Sequence, residues 1–159
     1  MKRITTMLFA VCIVLVFASQ SLADSNCHDV NLNVTTSAVD PMLPFGGYAG
    51  TAQFSIDGQA PLQAAVTLSM VSVKIGEDGT ILPTNSMTFD FGSLGTLSAQ
   101  DDSVLTPTEE PYIYRINARL LILSGTGTFT GAIGKLSDHG ETSFATTIAL
   151  VEGKGRICW

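Results

Sequence analysis

The chain has 159 residues, a formal charge of −6 and 15 glycines. That acidic balance argues against a nucleic-acid binder, which would carry a basic face, and the apolar content is too high for an acidic disordered chain. With the first 23 residues set aside as an export signal, about 136 remain, at a charge of −8 because Lys2 and Arg3 leave with the signal. A chain of that length builds one domain with one core. Its apolar share, about 41 %, is that of a soluble globule, whereas glycine rises to about 11 % against a usual 7 %. None of this defines a reaction.

The N-terminus has the three parts of a signal peptide. Lys2 and Arg3 give the positive start, residues 7–17 form an uninterrupted apolar run, and Ser21-Leu22-Ala23 predicts cleavage before Asp24. The run of 11 residues is well short of the ~20 that span a bilayer. The expected product is a single exported domain, residues 24–159, periplasmic or extracellular and without a membrane anchor. Cleavage removes Cys12 and leaves Cys27 and Cys158. In an oxidising compartment these two are expected to form a disulfide. The alternative, a reactive thiol, lacks a Cys-x-x-Cys spacing and has only Arg156 nearby as a basic neighbour.

From Asp24 onward, short runs of Thr, Val, Ile and Phe alternate with Gly, Pro, Asp and Asn, the punctuation of an antiparallel β protein. Val30, Leu32 and Val34 alternate with Asn31, Asn33 and Thr35. A loop over residues 40–47 leads to a strand with Tyr48, Ala52, Phe54 and Ile56 on one face, ended by the tight turn Asp57-Gly58. Residues 62–75 carry a helical spacing at first (Leu62, Ala65, Val66, Ser69, Met70) and then alternate as a strand (Val71, Val73, Ile75). The apolar face changes parity between Met70 and Val71, which predicts one long strand bent by a bulge near Met70. Glu77-Asp78-Gly79 closes a hairpin onto the strand of Met87, Phe89 and Phe91. Gly92 and Gly95 bracket a turn before a strand over residues 96–100. Residues 101–111, with Pro107, Pro111 and four acids, read as a solvated connection. A long strand over 112–123 follows, then β segments near 126–135 and 141–151 and a short one ending at Cys158, eight or nine strands in all.

The segment Ser124-Gly125-Thr126-Gly127-Thr128-Phe129-Thr130-Gly131-Ala132-Ile133-Gly134 lacks the following helix and the Lys-Ser or Lys-Thr pair of a phosphate loop. Its glycines are expected to let a strand bend sharply in a barrel wall, with Phe129 and Ile133 packing on one face. The pattern Gly125-x-Gly127-x-Phe129-x-Gly131-Ala132-x-Gly134 resembles the glycine-rich strand of the allene oxide cyclase and dirigent protein superfamily, closely over about ten residues and loosely over 112–150. The resemblance implies an all-β, eight-stranded antiparallel calycin-like β-barrel with an apolar central cavity, and cofactor-independent cyclase or isomerase chemistry. Related barrels often form dimers or trimers. No catalytic residue of that family maps onto a matching motif here. In a closed barrel the first and last strands pair, so a Cys27–Cys158 bond would staple that seam.

Three polar groupings are candidate sites. Arg115, Asn117 and Arg119 share one strand face, where inward placement would let them orient a carboxylate, enolate or carbonyl and outward placement would leave the apolar row to build the core. Asp90 is a candidate partner for either arginine. Ser137-Asp138-His139-Gly140-Glu141 contains the residue types of a catalytic triad but reads as a turn. His28 and His139 show no metal-ligand spacing, so no metal and no cofactor is expected. Asp101, Asp102, Glu109 and Glu110 read as a solvating cluster. The functional expectation is a barrel holding a small, largely apolar molecule, either as an enzyme or as a carrier. The remaining alternative is a surface interaction module whose barrel is filled solid.

Overall fold

A computed structural model describes residues 26–43 and 45–159. The export segment lies outside the described residues. Eight strands follow in chain order: β1 (Cys27–Ala38), β2 (Tyr48–Ile56), β3 (Leu62–Ile75), β4 (Ile81–Asp90), β5 (Thr96–Pro107), β6 (Ile113–Gly125), β7 (Ile133–Ser143) and β8 (Ile148–Cys158). Each pairs antiparallel with its chain neighbours, and β1 pairs with β8, so the sheet closes as an eight-stranded barrel. Cys27 stands opposite Cys158 in that last ladder, and the two form a disulfide. Closure leaves no sheet edge exposed along the seam.

Alternation decides which side chains fill the barrel. Val30, Leu32 and Val34 of β1 are buried, as are Ala52 and Phe54 of β2 and Met87 and Phe89 of β4. The Asp57-Gly58 turn takes positive φ at both residues, 50° and 72°, and opens a five-residue connection over 57–61, longer than a two-residue hairpin. The parity change in β3 is a bulge: its register against β4 shifts between Met70 and Ser72. Beyond the bulge Val71, Val73 and Ile75 are exposed.

Three segments differ from their expected form. Residues 101–107 continue β5 as barrel wall, with Asp101, Ser103 and Leu105 buried and Asp102, Val104 and Thr106 outside. Their alternation was hidden because the inward residues include an acid and a hydroxyl. Residues 137–141 lie in the middle of β7, not in a turn, and the actual turn is at 144–147. The third concerns the motif of Gly125, Gly127, Phe129, Gly131 and Gly134. It forms the connection from β6 to β7, with a 3-10 turn over Gly127–Phe129, instead of a continuous bent strand. Gly127 takes φ +60° against the Leu94 carbonyl of the preceding connection, a conformation and a spacing that exclude a Cβ. Folding back this way drives Phe129, 1 % exposed, into the barrel end.

That end is solid. Phe54 packs edge-on against Phe89 and Phe91, Phe91 against Phe129, and Phe129 against Trp159, with centroid separations of 4.7–5.5 Å. The disulfide lies at the same end. Outside it His28 stacks on Trp159 and its Nδ1 bonds Asp57 at 2.6 Å. At the opposite end a smaller apolar group of Ile81, Leu105 and Ile116 lines the wall with Tyr114, Ala149 and Phe144. Space remains between the two groups.

Candidate functional site: an acidic cavity in a half-filled barrel

The cavity opens at the end opposite the disulfide and measures about 90 Å³, against the roughly 10–15 Å³ that one water needs on this measure. Its upper wall is apolar, with Leu68, Met70, Ile81, Leu105, Ile116 and Val151 among its residues, and Phe45 and Phe144 stand at the mouth. Its polar lining includes Asn85 of β4, Asp101 and Ser103 of β5 and Asp138 of β7 at mid-height, where the strands reach the plugged half, together with Thr36, Tyr48 and Thr142.

Strand register explains their assembly. Asn85 is opposite Asp101 in the β4–β5 ladder, and Asp101 and Asp138 flank β6 from either side, opposite Leu120 and Ala118 respectively. Asn85 Nδ2 donates to Asp101 Oδ2 at 2.7 Å, and Ser103 Oγ donates to the same oxygen at 2.6 Å. Burial pushes the Asp101 carboxyl above its ordinary range, against the pull of these two hydrogen bonds. Asp138 has less support. Its pKa is raised to about 7, chiefly by burial and further by the charge of Asp101, and its Oδ1 has no hydrogen-bond partner. The Oδ1 of Asn85 is also buried without a partner. Room for the Asp138 carboxyl comes from β8: Gly153 stands directly opposite, and a Cβ there would overlap Asp138 Oδ1.

The arrangement is chemically asymmetric. One carboxyl is bound into a network with an amide and a hydroxyl. The other is buried in the cavity lining and close to neutral-pH titration, the condition in which a carboxyl both gives and takes a proton at physiological pH.

The candidates read from the sequence lie elsewhere. Arg115, Asn117 and Arg119 are exposed on the outer face of β6, while Ile116 and Leu120 turn inward, so the outward alternative holds. The apolar row is the one that builds the core, because burying Ile116, Leu120 and Ile122 removes hydrocarbon from water while the guanidiniums keep their hydration outside. Asp90 is not brought to either arginine. It is exposed at the plugged end, where its Oδ1 accepts from Gly92 N, whereas Arg115 pairs with Thr106 near the mouth. His139 points outward between Asp138 and Gly140. The residues missed were Asn85, Asp101, Ser103 and Asp138. Reading Leu97, Ala99, Asp101, Ser103 and Leu105 as one period-2 row would have found half of them.

These features define a closed antiparallel β-barrel, filled at one end and hollow and acidic at the other. Comparison with known protein families finds no match, and comparison with curated proteins finds none. Among solved structures the chain is similar to the pterocarpan synthase dirigent protein GePTS1, at 18 % identity over 98 % of this chain and 96 % of that one, with a TM-score of 0.45. A likeness of that degree assigns no chemistry.

Proposed function

We propose that the barrel binds a small, largely apolar molecule in its cavity and that Asp138 exchanges a proton with it, in a cofactor-independent cyclisation or isomerisation. The observation that carries this reading is the Asp138 carboxyl, which lines an apolar pocket while only 8 % exposed, its Oδ1 packed against Gly153 without a hydrogen-bond partner. An uncompensated buried acid costs stability, and a bound ligand offsets that cost by supplying the missing partner. Pockets with apolar walls and a few convergent polar groups are the usual form of small-molecule sites. The Cys27–Cys158 disulfide is compatible with an exported protein. Together with the signal-like N-terminus it supports action in the periplasm or outside the cell.

The test is native mass spectrometry of purified protein, followed by a binding panel of small amines, phenols, terpenoids and polyketides, with product analysis for every binder. Binding with conversion that Asp138→Asn removes supports the enzyme. Binding without conversion makes the protein a carrier, and a panel with no binder at all removes the cavity reading.

A further inference from the structure

Two carboxyls line the cavity, and its donors among the described residues are amide and hydroxyl groups alone, the Thr36 and Tyr48 hydroxyls among them. Asn85 Nδ2 and Ser103 Oγ are both committed to Asp101, and Thr142 Oγ1 donates to the Ile148 carbonyl. No Lys, Arg or His is among the described residues that line it. Asp138 and Asn85 line it with side chains that are only 8 % and 4 % exposed, each with an Oδ1 buried in the wall without a partner. Asp101 adds a second acid to the same space. A ligand that completes this site brings several N–H donors and a positive charge.

We propose that the ligand is a small apolar amine, held as its ammonium ion by the Asp138 carboxylate with its hydrocarbon part toward the mouth. This rests on the reading of the cavity as a ligand site and names the chemical class that fits it. An ammonium supplies donors to the Asp138 carboxylate and offsets the acids. A carboxylate ligand faces two acids and no cation, so it is refused.

Binding is linked to protons. Within the barrel the titratable groups that face Asp138 are Asp101 of β5, Tyr48 of β2 and, at the rim, Tyr114 of β6. The inward side chains of β3, β4 and β8 carry no titratable group, and His28 of β1 lies beyond the aromatic plug. Asp138 titrates at about 7, so below that pH the incoming ammonium displaces one proton from its carboxyl to solvent. Affinity therefore falls about tenfold per unit as pH drops below 7 and levels off above it.

Calorimetric titration with benzylamine, benzyl alcohol and benzoate between pH 5.5 and 8.5 tests this. Benzylamine is expected to bind at least about tenfold tighter than benzyl alcohol at pH 8, to release close to one proton below pH 7, and to lose affinity on the slope given. Benzoate is expected not to bind. Asp138→Asn should remove both the slope and the preference for the amine, whereas Arg119→Ala on the outer face should leave them intact. Because the pH slope is read on the unmodified protein, the test stands even where Asp138→Asn fails to fold. Benzyl alcohol binding as tightly as benzylamine overturns the amine assignment and leaves the cavity reading standing. No binding by any of the three overturns the amine assignment and counts against the cavity reading as well.

Discussion

Asp138 is where the cost of the cavity is concentrated. A carboxyl titrates near 3.8 in an open chain and at about 7 here, a difference of about three units or about 4 kcal/mol. The folded protein holds this proton more tightly than the unfolded chain does. The group's contribution is therefore full below pH 4, is lost as pH rises from 4 to 7, and stays lost above that. Asp101, also raised by burial, acts in the same direction. Asp57, lowered by its hydrogen bond from His28, acts oppositely, and its contribution is lost as the pH falls through its folded pKa. Asp138→Asn is expected to leave urea stability at pH 4 nearly unchanged and to raise it at pH 8 by up to about 4 kcal/mol. Equal effects at both pH values would mean that Asp138 is ionised or hydrated throughout. Gly153→Ala should destabilise by about 1–3 kcal/mol, because its Cβ meets the Asp138 carboxyl. Adding Asp138→Ala should recover most of that loss, and chemical denaturation of the double variant measures the coupling.

At the scale of elements, a strand was readable wherever its inner row was hydrocarbon. Val30, Leu32 and Val34 announced β1, and the parity change at Met70 announced the bulge in β3 before any pairing was known. Where the inner row turned polar, the strand disappeared from view: Asp101 and Ser103 made half of β5 look like a loop, and Asp138 within Ser137-Asp138-His139-Gly140-Glu141 made the middle of β7 look like a turn. These two strands carry both acids of the cavity, so the pattern failed at the candidate site, as expected where function overrides the local rule. The glycine segment was recognised as a bending device but placed in a wall, since spacing alone cannot tell a bent strand from a turn. Phe129 shows the difference. As the centre of the plug, Phe129→Ala should cost about 3–5 kcal/mol in thermal or urea denaturation, where a wall-surface phenylalanine would cost far less. Arg115→Ala and Arg119→Ala, on the outer face of β6, should change stability by no more than about 0.5 kcal/mol and leave cavity binding unaltered.

For the molecule as a whole, the seam between β1 and β8 joins the two ends of the chain. Its ladder runs from Cys27 opposite Cys158 to Ser37 opposite Ile148, so the barrel is closed by hydrogen bonds as well as by the disulfide. The crosslinked residues are 131 apart, and restricting an unfolded chain over that span contributes roughly 5 kcal/mol in the loop-entropy view. Reduction is expected to lower the urea midpoint strongly while the β-sheet circular dichroism of the native state persists. A loss of that signal on reduction without denaturant would show the seam depends on the bond.

A barrel stoppered at one end is a blind socket. Whatever enters must do so polar head first to reach Asp138, and it must back out by the route it came in. The hydrocarbon tail is then the last part to enter and stays beside Phe45 and Phe144 at the rim, facing solvent. A tether attached there leaves the buried contacts untouched, so an immobilised ligand should be coupled through its tail, and one coupled through its head should retain nothing.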